Sequence, residues 1–193
     1  MSKVTTLFYR GKLVESIHDI KCYIGSVNGS KIFTTNNDND FIYPRSSIKI
    51  FQAMPFASTN AFKVFNLNPK QIALSCSSHC GEYFHIRELK KWISKTKLKL
   101  SNLKCGVHNP LDNKSTEKLF LSGYRPYQLY NNCAGKHLAM LTACKLNKFS
   151  ISDYLDFDHP HQINIRSILS KFTEEKILIK NYGVDGCSAP QYS

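Results

Sequence analysis

Residues 131–148 read NNCAGKHLAMLTACKLNK, and the character of the chain changes within this stretch. The paired asparagines and the glycine are typical of a loop, whereas the apolar residues that follow recur at helical spacing, which predicts a helix over 135–148. Cys144 lies among the apolar residues and is predicted to be a small core residue. The stretch is therefore predicted to be a loop entering a helix. The junction carries three side chains with possible chemistry: Cys133, Lys136 and His137.

The length and composition of the chain predict a folded globular protein. Its 193 residues are 42% hydrophobic and 12% aromatic, enough for the core of a single domain over residues 1–193. The apolar runs are broken well short of the ~20 residues that a membrane span needs, and the start MSKVTTLFYR does not resemble a signal peptide. We expect a soluble, cytoplasmic protein with no membrane partner.

The cysteines indicate reduced thiols rather than a disulfide scaffold. Seven cysteines are an odd number and form no compact framework, which argues against a secreted disulfide-rich protein. Core and metal-binding roles both stay open for them. They lie at positions 22, 76, 80, 105, 133, 144 and 187.

The net charge of +12 would suit a nucleic-acid partner, because clustered Lys and Arg displace counterions from phosphate. The charge is mostly diffuse lysine, however, and the densest stretch, KKWISKTKLKL at 90–100, has the pattern of an amphipathic helix with a solvated lysine face. Interleaved glycines and aromatic residues typical of RNA-binding domains are absent from the sequence. Nucleic-acid binding is therefore only a distant alternative.

The first 35 residues are rich in strand-forming residues and predict a small antiparallel meander. Its strands are VTTLFY, KLVESIHDIKCYIGSV and KIFTT, and Asn28-Gly29 between the last two is a hairpin signal. A polar loop is predicted for TNNDND at 35–40. Strand-forming patterns thus dominate the start of the chain.

Helical spacing dominates after Pro44, with a helix predicted to begin near Arg45. The apolar run QIALSCS at 71–77 is predicted to be a strand leading into a turn, and an amphipathic helix follows it. Residues 175–183 predict a late strand. The fold class is therefore α/β, in the sense of mixed α+β with intermixed elements. The amphipathic helix is predicted to place Phe84, Leu89, Trp92 and Ile93 on one face, and further helices are predicted near 113–122, 135–148 and 160–172.

Ser46-Ser47-Ile48-Lys49 contains an S-x-x-K pattern at a predicted helix start. Positions i and i+3 share a helix face, so the Ser46 hydroxyl and the Lys49 amine are predicted to come within hydrogen-bonding distance. A lysine with a depressed pKa could take the serine proton, and the amides at a helix start favour a developing anion. The pattern alone is weak, because Ser and Lys are common residues.

The segment CSSHCGE at 76–82 carries small hydroxyl residues beyond the predicted strand, where α/β sites usually present reactive groups. A capped helix start is the alternative without chemistry. Cys76 and Cys80, with His79 between them, also have spacing that could suit zinc, but a closed site needs four ligands and no second close pair is evident.

Cys133 and Cys187 both lie in glycine-containing segments of turn-like character, and two loop thiols suit a soft metal. Lys136 is a poor ligand by ordinary rules, because an ammonium group has no lone pair. Burial and a bound divalent cation would have to make it neutral.

Seven segments of the chain, taken in order, resemble one protein family. They are RGKLVES, YPRSSIKIFQAMP, SSHCGE, KCGVHNPLD, YNNCAGKH, YLDFDHPHQ and GVDGCSAP. Together they are similar to the asparaginase II type of L-asparaginase, whose fold is like that of serine β-lactamases and penicillin-binding proteins. Seven ordered motifs are far more specific than any one of them.

The resemblance implies an amidohydrolase with Ser46, Lys49 and Ser78 as catalytic residues. One of the two serines would attack the side-chain amide carbonyl of L-asparagine, and water would then hydrolyse the acyl-enzyme. The products would be L-aspartate and ammonia, so the implied partner is a small-molecule substrate.

The resemblance also implies zinc as a cofactor, with Cys133, Lys136 and Cys187 as its ligands. A second set of residues, Arg45, His137 and Asp185, would hold the substrate or orient the site. By charge alone, Arg45 suits the α-carboxylate of asparagine and Asp185 its α-ammonium group.

Two departures from the family pattern qualify these expectations. Cys80 stands where the family commonly has serine, and members of the family continue well past the segment that matches GVDGCSAP. We therefore expect a C-terminally truncated chain without a lysine that partners the second serine and without strands of the central sheet. It would be a catalytically inactive remnant, or else a separate C-terminal chain would complete it. A homodimer is also left open as an alternative.

Overall fold

The structure, a computed structural model, describes residues 4–35 and 41–193. The chain divides into two compact units, one within residues 1–42 and the other formed by residues 43–193. The polar loop predicted for 35–40 lies, beyond Thr35, outside the described residues. In the parts of the chain that are described, no helix is long and apolar enough to cross a membrane.

The first unit consists of two β-hairpins. Strand β1 (Val4–Arg10) pairs antiparallel with β2 (Leu13–Ile20), with Val4 opposite Ile20 and a bulge between Phe8 and Tyr9. Strand β3 (Tyr23–Gly25) pairs with β4 (Lys31–Thr34). Gly29, with φ of +84°, lies in the turn between them, as Asn28-Gly29 predicted.

The continuous meander predicted for this region is wrong, because the pairing forms two separate two-stranded sheets. The long second strand of the prediction ends at Ile20 and a new strand begins at Tyr23. Between them, the Cys22 amide donates to Thr35 Oγ1 (2.8 Å) and the Cys22 carbonyl accepts from the Thr35 amide (3.0 Å). These bonds redirect the chain to a new partner strand.

The second unit is built around one central helix, α6 (Ala134–Leu146) in the numbering of its seven helices. Every residue from Ala134 to Cys144 is buried, as expected for a helix that is apolar on all sides and rich in helix-forming Ala, Leu and Met. The helices packed on it are α1 (Lys49–Ser58), α2 (Ala61–Val64), α3 (Pro69–Leu74), α4 (Tyr83–Thr96) and α7 (Pro160–Thr173), and α5 (Asn113–Leu121) precedes it in sequence. The helices predicted after Pro44 are thus confirmed.

The strand predicted over 71–77 is wrong, because Pro69–Leu74 forms a helix. Its start has a capping box: the Asn68 side chain accepts from the Gln71 amide (2.9 Å), and the Gln71 side chain accepts from the Asn68 amide (3.0 Å). Pro69 at the first helical position adds to the signal. A short apolar run is ambiguous by periodicity, and here the cap decides it.

Helix α4 presents its lysines to solvent, as predicted, and buries Leu89 and Trp92 completely. The prediction that Phe84 shares this buried face is wrong. Its side chain is 47% exposed, and its ring lies against His85 at a centroid distance of 3.9 Å. The helix ends at Thr96 because Lys97 adopts a left-handed conformation, with φ of +52°.

A third two-stranded sheet lies at the end of the chain, where β5 (Tyr182–Val184) pairs antiparallel with β6 (Pro190–Tyr192). The strand predicted over 175–183 is confirmed only in its last two residues, since Ile179–Asn181 forms a 3-10 turn. Gln52 of α1 donates to the Pro190 carbonyl (2.9 Å), which ties the sheet to the helices. The fold thus combines helices with small antiparallel sheets, and the β-lactamase-like arrangement stays a prediction.

Gly135 permits the close approach of α6 to the end of α3, and we expect Gly135→Ala to destabilise the protein. A Cβ at this position would lie 2.1 Å from the Leu74 carbonyl oxygen, which is backbone and cannot rotate away. Alanine favours a helix interior over glycine by ~1 kcal/mol, so only the clash makes the change destabilising, by about 3 kcal/mol. Urea unfolding measures this loss. Gly186→Ala, where no atom lies within 4 Å, should change stability by less than about 1 kcal/mol, and equal effects would contradict the account.

His161, the second residue of α7, gives the protein a specific sensitivity to acid. It is fully buried, neither ring nitrogen has a partner among the described residues, and burial, helped by His159, lowers its pKa to about 4. The unfolded chain binds the proton more tightly, so acid favours unfolding from about pH 6.5 down to pH 4. From pH 7.5 to pH 5 we expect this residue to lower the free energy of unfolding by about 2 kcal/mol.

Urea unfolding at the two pH values, compared between the wild type and His161→Gln, measures that contribution. The variant should lose less stability on acidification than the wild type. Exposed His18 is the matched control, and His18→Gln should keep the full drop. The same drop in all three proteins would contradict the assignment.

Candidate functional site

A cavity of about 310 Å³ lies within the second unit, between the start of α1, the loop before α6 and the β5–β6 turn. The segments that form it were predicted to carry the site, and they are distant in sequence. Eleven residues line the cavity: Arg45, Ser46, Lys49, His108, Asn131, Asn132, Cys133, Asp185, Gly186, Cys187 and Gln191.

Lys49, Ser78 and Ser46 form a hydrogen-bonded chain beside this cavity. Lys49 is the first residue of α1 and only 2% exposed, while the two serines are exposed. The Lys49 amine donates to the Ser77 carbonyl (3.2 Å) and to Ser78 Oγ, and Ser78 Oγ donates to Ser46 Oγ (3.3 Å). The structure thus brings the three predicted catalytic residues together. The direct Ser46–Lys49 contact expected from helical spacing is replaced by one through Ser78.

The segment before Ser46 has an unusual backbone. Arg45 has φ of +54° and follows Pro44, and together they start the 3-10 turn Arg45–Ile48 that leads into α1. A left-handed conformation is uncommon for arginine and is found where the surrounding structure enforces it. Arg45 is exposed and lines the cavity.

The loop that carries Ser78 is held from both sides. The His79 amide donates to the Asn132 carbonyl (3.2 Å) and the Asp112 amide donates to the Cys80 carbonyl (3.0 Å). Burial, with the charges of His85, Lys49 and His108, lowers the pKa of His79 to about 3, so its ring is neutral. The ring accepts from the Gly81 amide through Nδ1 (3.2 Å), which leaves the proton on Nε2. His79 is thus a packing residue that fixes the loop.

Cys133, Lys136 and Cys187 converge at the other side of the cavity, and all three are buried. Lys136 is on the first turn of α6 and donates to Cys187 Sγ (3.1 Å). A hydrogen bond with Cys187 is the main cause that lowers the pKa of Cys133 to about 6, against the effect of burial, and the Lys136 charge helps. Burial alone would lower the pKa of Lys136, but the sulfur atoms of Cys187 and Cys133 and the Asp185 carboxylate around its amine raise it.

The Asp185 carboxylate accepts five hydrogen bonds at the β5–β6 turn. Its Oδ1 accepts from the Cys187 amide, the Cys187 thiol and the Ala189 amide, each at 2.9 Å. Its Oδ2 accepts from Lys136 and from Gln191, both at 3.2 Å. Burial acts to raise the pKa of Asp185, but Lys136 and these donors lower it to about 2. The carboxylate is therefore ionised and holds the turn against α6.

His137 is placed differently from the other predicted substrate residues. It is fully buried and is not part of the cavity wall. Its Nδ1 lies 2.7 Å from the Tyr154 hydroxyl and its Nε2 lies 3.3 Å from Cys187 Sγ. Burial, followed by the Lys136 charge, lowers its pKa to about 3, so the ring is neutral. His137 thus supports Cys187 from behind.

Four polar residues of the wall lie outside the predicted set: His108, Asn131, Asn132 and Gln191. Three of them lie within motifs that carried the family resemblance, but no chemical pattern singled them out. Asn131 uses both ends of its amide, donating to the Cys105 carbonyl (2.6 Å) and accepting from the Cys133 amide (2.9 Å). His108 accepts from the Asn132 amide (3.0 Å). These bonds shape the loop before α6.

The donor set around Cys187 is compatible with a metal ion only if lysine takes part. Within residues 4–35 and 41–193, no three His, Cys, Asp or Glu side chains are grouped to hold a metal. Cys133 and Cys187 supply two soft sulfur donors on the cavity wall, and the Lys136 amine donates a hydrogen bond to the Cys187 sulfur. Two sulfurs and one amine nitrogen fit zinc, provided that the lysine loses its ammonium proton.

The family model described as L-asparaginase II matches residues 7–193, which is nearly the entire chain. No curated protein sequence matches it.

Proposed function

Because the chain belongs to the L-asparaginase II family, we propose that it hydrolyses the side-chain amide of L-asparagine, giving L-aspartate and ammonia. The family supports an asparaginase-type amidohydrolase, and the Ser46–Ser78–Lys49 chain supports a serine nucleophile. A small-molecule substrate follows from the same family. The cytoplasmic location expected from the broken apolar runs and from a start unlike a signal peptide stays a prediction.

We propose Ser46 as the nucleophile and Ser78 as the group that relays its proton. Ser46 is part of the cavity wall, whereas Ser78 is not, and Ser78 lies between Ser46 and the Lys49 amine. For this step the two hydroxyl groups turn so that Ser46 donates to Ser78 and Ser78 donates to Lys49 Nζ. As Ser46 Oγ attacks the amide carbon, its proton passes to Ser78 Oγ and the Ser78 proton passes to Lys49 Nζ. This order assigns different roles to two serines that the sequence could not distinguish.

The second half of the reaction uses the same groups in reverse. The C–N bond breaks and the amide nitrogen leaves as ammonia, taking back the proton held on Lys49. Water then attacks the ester carbonyl and gives one proton to Lys49 through Ser78. The bond between the acyl carbon and Ser46 Oγ breaks, Ser46 takes that proton back, and the new carboxyl group releases the second water proton to solvent to leave L-aspartate. Lys49 is suited to this exchange because it is buried among neutral acceptors and no carboxylate pairs with it among the bonds described.

Three charged or polar groups would orient the substrate. Arg45 is proposed to bind the α-carboxylate, since it is exposed on the cavity wall and a guanidinium pairs well with a carboxylate. Asp185 is proposed to supply negative charge towards the α-ammonium group. His137 is proposed to orient Cys187 rather than to touch substrate, because it lies behind that thiol.

Zinc is proposed as the cofactor, held by Cys133, Lys136 and Cys187. When bound, zinc supplies a concentrated positive charge that can polarise a ligand oxygen. The protein residues around it set its position: Asp185 fixes Cys187 through the turn, and His137 contacts the same sulfur.

Ammonia release from L-asparagine tests the proposed function. We expect wild-type activity, a loss of at least about 1,000-fold in kcat for Ser46→Ala, and a loss of about 100-fold or more for Ser78→Ala, whose relay is then broken. Ser47→Ala is the matched control, because Ser47 donates to the Pro44 carbonyl (2.6 Å) and takes no part in the chain. It should keep kcat within about threefold.

A wild-type protein that releases no more ammonia than Ser46→Ala would contradict the proposal. A Ser78→Ala variant as active as Ser47→Ala would contradict the relay while leaving the amidohydrolase intact. Circular dichroism of each variant confirms that it is folded.

Metal analysis tests the zinc proposal. Protein purified in the presence of zinc and then dialysed should hold about one ion per chain, and Cys133→Ala should lose most of it, because one of three protein ligands is gone. Cys144→Ala removes another buried thiol, one that lies in the core of α6, and should retain the metal. A metal-free wild type, or equal zinc in both variants, would contradict this ligand set.

A further inference from the structure

Cys133 and Cys187 differ from the other buried cysteines because they are paired in space and both line the cavity. Their sulfur atoms are in hydrogen-bond contact, and the two residues are 7% and 5% exposed. The other two buried cysteines, Cys105 and Cys144, are 1% and 0% exposed and are not part of the cavity wall. Of the buried thiols, which all lie within the described residues, only this pair borders the cavity.

The backbone segments that carry the two thiols are held in place. Cys133 directly precedes α6, and its amide donates to Asn131 Oδ1 (2.9 Å) while its carbonyl accepts from the His137 amide (3.1 Å). The Cys187 amide donates to Asp185 Oδ1 (2.9 Å). Because both backbones are fixed, the sulfurs stay neighbours, and a disulfide requires them to close to ~2.0 Å.

We propose that Cys133 and Cys187 are a redox-active pair, which a peroxide converts to a disulfide and thereby withdraws from zinc binding. Zinc is bound by thiolates, and the sulfurs of a disulfide carry no negative charge to offer the ion. Lys136 would be left as the single member of the proposed ligand set. The loss of zinc and of activity rests on the proposed function, whereas the disulfide itself does not.

Hydrogen peroxide supplies the oxidising equivalents for this step. The first sulfur, as a thiolate, attacks one peroxide oxygen, the O–O bond breaks, and the leaving hydroxide combines with the thiol proton to give water. The second sulfur attacks the resulting sulfenic acid, the S–S bond forms, the S–O bond breaks, and hydroxide leaves with the second thiol proton as water. Two thiols thus lose two electrons, and one peroxide is reduced to two molecules of water.

Peptide mapping tests the pair directly. Wild-type protein is treated with hydrogen peroxide, its remaining thiols are alkylated, and its tryptic peptides are examined by mass spectrometry. We expect the peptides that carry Cys133 and Cys187 to be joined, with the mass of two hydrogen atoms lost, and to separate after reduction with dithiothreitol. Cys144→Ala, which removes another buried thiol, is the matched control and should form the same disulfide.

The same maps show the outcomes that would overturn the inference. Cys133 and Cys187 both alkylated after the treatment would do so, as would a disulfide from either one to Cys76 or Cys80, which are exposed. Oxidation to a sulfinic acid that dithiothreitol does not reverse would also contradict it. So would a cross-link between Cys187 and the amine of Lys136, which lies 3.1 Å from that sulfur.

Measurements of zinc and of ammonia release test the consequence of the disulfide. We expect peroxide to release the bound zinc and to lower kcat on L-asparagine by at least about tenfold, and dithiothreitol with added zinc to restore both to within about twofold. Zinc and activity that persist in protein with the mapped disulfide would overturn the proposed withdrawal of the ligands. If untreated wild type releases no ammonia, the proposed activity is wrong, and the peptide map alone decides whether the pair is redox-active.

Discussion

The Asp185 carboxylate is the group on which the architecture of the site depends. It accepts three bonds from within its own turn and one from Lys136, 49 residues earlier in the chain. Removing a carboxylate from water is costly, and these donors together offset the cost. Because one carboxylate bonds both the β5–β6 turn and helix α6, Cys187 and Gln191 are brought to the cavity wall as a consequence.

The two buried lysines of the second unit have opposite surroundings, and this difference separates their roles. Lys136 lies against a carboxylate and thiols, which raise its pKa and hold its charge. Lys49 instead donates to a carbonyl and a hydroxyl, both neutral. Proton transfer in the proposed reaction is therefore assigned to Lys49, while Lys136 holds the turn as an ammonium group, or zinc once it has lost that proton.

Much of the helical part of the fold could be predicted from the sequence, because long amphipathic or uniformly apolar segments have an unambiguous period. Short segments could not: QIALSCS is apolar enough for a strand, and only the Asn68-Pro69 cap makes it a helix. The break at Cys22 depends on pairing with Thr35, which no local pattern reveals. Local propensity fails where a contact distant in sequence decides the outcome.

In the site, too, the sequence predicted what local patterns determine and missed what contacts between distant residues determine. Helical spacing suggested that Ser46 would meet Lys49, but the residue between them comes from a loop 29 positions further on, and only the family resemblance named it. His137 was grouped with the substrate by its position in a motif, yet it is buried behind Cys187. Gln191 had no sequence signal, because its place on the cavity wall depends on a bond to Asp185 that no local pattern reveals.

The central claim, that Ser46 is the nucleophile of an asparaginase-type amidohydrolase, is tested most directly by trapping the covalent intermediate. Wild-type protein is mixed with L-asparagine, quenched in acid within milliseconds to seconds, digested and examined by mass spectrometry. We expect an aspartyl ester on Ser46 that is absent when L-asparagine is omitted and absent in Ser46→Ala. An ester found on Ser78 instead, or hydrolysis that proceeds with no acyl-serine at any time, would contradict it.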